Sequence, residues 1–142
     1  METIKVALED AAKMPSKAHP WDAGFDLSST KQYLIPSGGR TLIKTGVRME
    51  IPNGYCGFVT GRSGMTIKEG LVGQLGIVDA PYRGEIGIMA FNLSSTTIII
   101  DKGEKVGQIV IMPIPMIELI KVEADELSTT DRGTNGFGST GK

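Results

Sequence analysis

One cysteine and one histidine are all that this sequence offers to thiol and imidazole chemistry. Cys56 has no partner in the chain for a disulfide, which suits a reducing compartment, and a lone His19 removes histidine triads and the usual zinc sites. A catalytic base here is therefore expected to be a carboxylate. An excess of one charge is also lacking, since 15 Lys and Arg stand against 16 Asp and Glu for a net charge of -1. No whole-protein field draws nucleic acid, so no nucleic-acid partner is expected. Long apolar runs are missing as well. Those at 98–100 and 109–112 fall far short of a membrane span, and the ends show no charged leader followed by an apolar stretch. The expectation is a soluble cytoplasmic protein, or one of the host cell interior if virus- or phage-encoded, with no membrane partner.

Unbroken helix-forming stretches are scarce too. The 19 glycines and 7 prolines run through all 142 residues, so a long helix has nowhere to form. Short strands are the alternative, and the length suits one domain with one core. Segment 47–51 (VRMEI) alternates apolar and polar as a half-buried strand does, and Pro52-Asn53-Gly54 turns the chain before YCGFVTG, which predicts a hairpin. Segments 85–91 (EIGIMAF), 96–100 (TTIII) and 106–112 (VGQIVIM) continue the pattern, with turns at 92–95 and 101–103. Strands at this spacing indicate an all-β sandwich or barrel. A short helix is predicted over 63–70 (SGMTIKEG), capped by Ser63 and ended by Gly70. The tail 128–142 (STTDRGTNGFGSTGK) has one large apolar residue, Phe137, and is expected to be mobile until a ligand orders it.

Five strings combine groups suited to phosphate chemistry. DAGFDL at 22–27 sets two carboxylates around a glycine, near enough in an extended turn to serve a hydrated cation, although either could cap a turn. His19 and Trp21 just before it read as surface or packing residues. GRSG at 61–64 brings a guanidinium, a hydroxyl and backbone N–H groups toward one anion, although taken alone the string reads more readily as a polar turn with a surface arginine. In GIVDAPYRG at 76–84, Asp79 follows an apolar run and precedes a proline turn with Tyr82 and Arg83. That carboxylate faces a cleft or caps a hairpin. Gln108 in KGEKVGQ interrupts an apolar strand, where its amide either meets a phosphate oxygen or is satisfied by backbone. The tail joins Arg132, Phe137, Ser139 and Thr140 to a glycine-rich backbone able to wrap a phosphate, with functionless disorder as the alternative.

Taken in order, DAGFDL, GRSG, GIVDAPYRGEIG, KGEKVGQI and RGTNGFGSTG resemble the five motifs of the deoxyuridine triphosphate nucleotidohydrolase (dUTPase) family. Each string alone is common. All five in sequence, with Asp-x-x-Tyr-Arg-Gly in the third and Gly-Phe-Gly-Ser-Thr-Gly in the last, are specific, and the likeness runs from residue 4 to 141.

The resemblance implies a distorted antiparallel β-barrel or jelly-roll over 1–127, a flexible glycine-rich arm over 128–142, and a homotrimer whose active sites lie between subunits. It implies Mg2+-assisted hydrolysis of dUTP to dUMP and pyrophosphate, which lowers dUTP and supplies dUMP for dTMP synthesis. Asp79 would be the general base for a water attacking the α-phosphorus, and Asp26 would reach the metal through water. Arg62, Ser63, Gly64 and Gln108 would hold phosphates. Gly76 and Ile77 would present backbone to uracil, with Gln74 a candidate contact, and the Tyr82 ring would leave no room for a ribose 2′-hydroxyl. Arg132, Gly138, Ser139 and Thr140 would reach the outer phosphates while Phe137 stacks on the base. The alternatives are a dCTP deaminase-like enzyme, which Asp79 with Tyr82 opposes, and a non-catalytic regulatory barrel that binds nucleotide or protein. A regulatory protein partner alongside hydrolysis stays open.

Overall fold

The computed structural model describes residues 3–136. Two four-stranded antiparallel sheets and a two-stranded one make up the fold. The first sheet orders β1 (Lys5–Leu8), β4 (Arg40–Glu50), β8 (Ile86–Asn92) and β6 (Leu71–Gly73). The second orders β2 (Gly24–Ser28), β10 (Lys105–Pro113), β5 (Tyr55–Gly61) and β7 (Gly76–Val78), and β3 (Tyr33–Ile35) pairs with β9 (Ile98–Ile100). The all-β class expected from the strand spacing is the class observed.

Alternation sets which face is inside. In β4, Val47 and Met49 are buried while Arg48 and Glu50 are exposed; in β8, Ile86, Ile88 and Ala90 point inward and Met89 outward. The inner faces of both large sheets meet in one core that includes Leu27, Ile43, Val59, Ile88 and Ile109. Each such side chain contributes about 1.5–3 kcal/mol when fully buried. Among the buried polar side chains, the Asn92 amide donates to the carbonyls of Ile35 (2.8 Å) and Thr96 (2.7 Å) and accepts the Ser94 N–H (2.9 Å). Thus paired, it ties the small sheet to the end of β8.

Two local expectations need correction. The turn at 52–54 forms, with the Tyr55 N–H on the Pro52 carbonyl at 3.2 Å, but the strands it joins do not pair. β4 bonds to β1 and β8, while β5 bonds to β10 and β7, so the turn carries the chain from one sheet to the other. A turn signal sets a change of direction and leaves the choice of partner to burial. The helix α1 (Ser63–Glu69) is present and ends on left-handed Gly70, but Arg62 is its N-cap and no side chain caps it. Ser63 is already helical, so its hydroxyl is not in the capping position.

After Pro113 the described chain forms no further named strand, only a 3₁₀ turn at Ala124–Glu126 closed by reciprocal bonds between Glu123 and Glu126. Ile114, Met116, Ile117, Leu119 and Ile120 along this stretch are all exposed. Among the described residues no helix is long and apolar enough to cross a membrane.

Candidate active site

The structure gathers the sequence motifs into two groups. The first lies across the second sheet, where β10 runs between β2 and β5 and aligns Asp26, Gln108 and Thr60 in one row. Cross-strand partners share a face, so the Asp26 carboxylate and the Gln108 amide project together. Gly24 makes room for that amide, since a Cβ there would stand 2.2 Å from Gln108 Oε1. β5 then delivers Arg62, Ser63 and Gly64 to the same end of the row, all three exposed. Asp26 Oδ2 accepts the Lys105 ammonium at 2.7 Å, and Asp26 Oδ1 lies 3.8 Å from Arg62 Nε. Arg62 Nη1 also donates to the Lys105 carbonyl at 3.4 Å.

Sequence reading passed over Lys105. Its signal was available within KGEKVGQ, where a cation precedes Gln108 by three residues and shares its strand. Of the two readings that DAGFDL allowed, Asp22 takes the turn-capping one while Asp26 pairs with Lys105. Asp22 turns back to accept the His19 N–H at 2.9 Å, with His19 Nδ1 at 3.4 Å, and this bond holds its carboxyl below the usual aspartate range. His19 and Trp21 are exposed, in line with a surface role.

The second group sits on the connection from β7 to β8. The Tyr82 N–H closes a turn on the Asp79 carbonyl at 3.0 Å, and Arg83 Nη1 donates to the carbonyls of Ala80 (2.6 Å) and Tyr82 (2.9 Å). The Tyr82 hydroxyl donates to the Glu85 carbonyl at 3.0 Å, laying its ring over Gly84, where a Cβ would come within 2.2 Å of Tyr82 Oη. Asp79, Tyr82, Glu85, Gly76 and Ile77 line a cleft of about 260 Å³. The Asp79 carboxylate has no hydrogen bond or ion pair among the described residues. β7 is an edge strand, so backbone groups on its outer side are free to meet a ligand. Gln74 opens onto an adjoining groove that shares Gly76 with this cleft.

No hydrogen bond or ion pair among the described residues joins the two groups, and none of Asp26, Arg62, Ser63 or Gln108 lines the Asp79 cleft. A further groove of about 190 Å³, lined by Ile4, Val6, Met14, Phe25, Met49 and Ile111, is apolar and carries no reactive group. Arg132 is exposed and donates from Nε to the Asn135 carbonyl at 3.2 Å. Phe137, Gly138, Ser139 and Thr140 lie outside the described residues.

The dUTPase family model matches residues 10–141, which is nearly the whole chain. The chain belongs to the dUTPase family. Among its relatives, the deoxyuridine 5'-triphosphate nucleotidohydrolase of Fowlpox virus is 39% identical over 99% of both chains. That of Corynebacterium efficiens is 44% identical over 95% of this chain and 75% of its own. In structure, a dUTPase variant of Staphylococcus bacteriophage 80alpha with dUpNHpp superposes with a TM-score of 0.93 at 34% identity, covering all of both chains. A dUTPase from phage phi11 of S. aureus, described with a structural Mg(II) ion, gives a TM-score of 0.83 at 33% identity over 89% of this chain and 100% of its own. Membership in the dUTPase family makes this an enzyme family member with the antiparallel β-fold of its relatives.

Proposed function

We propose that the chain hydrolyses dUTP to dUMP and pyrophosphate, with Asp79 as general base. The observation that carries this reading is an unpaired carboxylate in a cleft, on a turn that also holds Tyr82, within a dUTPase-family chain. Asp79 takes a proton from water as the water oxygen bonds to the α-phosphorus. The bond from that phosphorus to the bridging oxygen breaks, and the electron pair leaves with pyrophosphate. The outer-edge backbone of Gly76 and Ile77 reads uracil, and the Tyr82 ring lies beneath the deoxyribose. Arg62, Ser63, Gly64 and Gln108 hold phosphate oxygens and stabilise the charge gathering there. From the arm, Arg132, Gly138, Ser139 and Thr140 reach the outer phosphates and Phe137 covers the base, excluding bulk water.

The donor set suits a magnesium ion held mainly by the substrate. No group of three or more His, Cys, Asp or Glu able to hold a metal occurs among the described residues, and Asp26 is the one carboxylate in the row with Gln108. Asp26 fits an outer position, reached through metal-bound water. When bound, Mg2+ neutralises the triphosphate and orients its oxygens.

A homotrimer accounts for the separation of the two groups, because one copy's Asp26 row then faces another copy's Asp79 cleft. The exposed apolar run from Ile114 to Ile120 supports assembly, since a monomer would leave it in water. The test is pyrophosphate release from dUTP, dCTP, dTTP and UTP, with magnesium and with a chelator. Fast, magnesium-dependent release from dUTP alone is expected. Ammonia release from dCTP would place the protein with deaminases, and no turnover would leave a binding barrel.

A further inference from the structure

Tyr82 carries the proposed sugar filter, and a filter works only at a fixed height. Its ring is half exposed, so core packing does not hold it. The ring is tied at its tip, where the hydroxyl meets the main-chain carbonyl of Glu85. The Glu85 side chain is in turn tied to β4. Its Oε1 accepts the Gly46 N–H at 2.9 Å, and its Oε2 lies 3.3 Å from Lys44 Nζ, with only 17% of the side chain exposed.

Gly46 is an unusual anchor. The register between β4 and β8 shifts from Lys44 to Val47, so Thr45 and Gly46 form a bulge. Gly46 has φ +66, and a Cβ there would stand 2.8 Å from the Ala12 Cβ. Its carbonyl accepts the Glu9 N–H at 2.8 Å, and the buried Thr45 hydroxyl donates to the Ile86 carbonyl. The bulge is therefore held on several sides, and its Gly46 N–H goes to Glu85.

We infer that Glu85 is a positioning residue for sugar selection: its carboxylate locks residue 85 onto the β4 bulge, and its carbonyl thereby sets the height of the Tyr82 ring. This rests on the reading that Tyr82 excludes the 2′-hydroxyl. Acceptance of the Gly46 N–H is the essential function and the Lys44 ion pair is secondary, because a half-buried N–H without an acceptor is costly while an ion pair to a mostly exposed lysine contributes less. Glu85 touches neither base nor phosphate in this scheme, so its loss should change which sugar is accepted more than how fast the bond breaks.

The experiment compares kcat/KM for dUTP and UTP in the full chain and its variants. Glu85→Ala is expected to lower the dUTP:UTP ratio about tenfold or more, mostly through a gain in UTP affinity, with kcat for dUTP changing less. Glu85→Gln keeps an acceptor for Gly46 and should keep the ratio, as should Lys44→Met, which removes only the ion pair. Should Glu85→Ala fail to fold, Tyr82→Phe cuts the same tie at the ring tip and must lower the ratio. Combined with Glu85→Ala, where both fold, it must add little. An unchanged ratio in Glu85→Ala would overturn the inference, as would equal losses on both sugars tracking a fall in melting temperature. A ratio lost in Glu85→Gln would overturn it too. A wild-type chain that accepts UTP as readily as dUTP would sink the underlying sugar-filter reading before any variant is made.

Discussion

The two half-sites differ in how their charges are spent. In the row across β2, β10 and β5, the Asp26 carboxylate meets Lys105 at 2.7 Å and Arg62 at 3.8 Å, so cation and anion largely neutralise each other. On the β7–β8 turn, Tyr82 and Arg83 bond to the main-chain carbonyls of Asp79, Ala80, Tyr82 and Glu85, and the Glu85 carboxylate pairs with Lys44 and the Gly46 N–H. The Asp79 carboxylate itself has no partner among the described residues. A cluster that satisfies its own charges can exchange them for phosphate and metal at small cost, which suits binding. A rigid turn that leaves one carboxylate free suits taking a proton.

The sharpest break in that contrast is Asp79→Asn. It keeps shape and turn but removes the base, so kcat is expected to fall about 10²–10⁴-fold with dUTP affinity and melting temperature nearly unchanged, as read by pyrophosphate release and calorimetry. Normal turnover would remove Asp79 from the reaction. Arg62→Ala attacks the other half-site and should instead weaken dUTP binding, raising KM about 10–100-fold through lost charged hydrogen bonds, again with little thermal effect because its contacts are exposed. A loss confined to kcat would place Arg62 with the reacting atoms.

A matched pair of methyl groups tests the same division more gently. Gly24→Ala drives a Cβ against the flexible Gln108 amide, while Gly84→Ala drives one against the rigid Tyr82 ring. The first should raise KM for dUTP severalfold and the second should erode rejection of UTP; identical phenotypes would mean that the half-sites do not divide labour. The smallest effect concerns the loop leading into β2. Asp22 has its pKa lowered by the His19 N–H, so its contribution to that turn is present above the ordinary value of 3.8 and is lost as pH falls through the lowered one. Fluorescence of Trp21, the only tryptophan and 97% exposed, should therefore stay constant from pH 7 to about 4 and change only below that. A transition well above pH 4 would remove Asp22 as its cause.

Strand identity was legible from period-2 alternation, as in 47–51 and 85–91, because one face of each strand is buried. The helix at 63–70 was legible from Gly70. Partner choice was not: Pro52-Asn53-Gly54 announces a turn in either a hairpin or a crossing between sheets, and only the shared core decides. The motif strings marked Asp79, Arg62 and Gln108, yet Lys105 and Glu85 escaped notice. Their roles come from register and from a bulge at Gly46, which depend on residues some 40 to 80 positions away. Asp22 takes the turn-capping alternative that DAGFDL also allowed, because the nearby His19 N–H claims its carboxylate.

The proposed division of the site between two groups of residues in one chain reaches into inheritance and mixing. In the proposed trimer, a copy lacking Asp79 still presents an intact phosphate row, and a copy lacking Arg62 still presents an intact base. Co-assembled, two defective subunits rebuild some whole sites at the seams where the good halves meet. A cell or an infection carrying both defective alleles would then regain part of an activity that neither allele encodes alone.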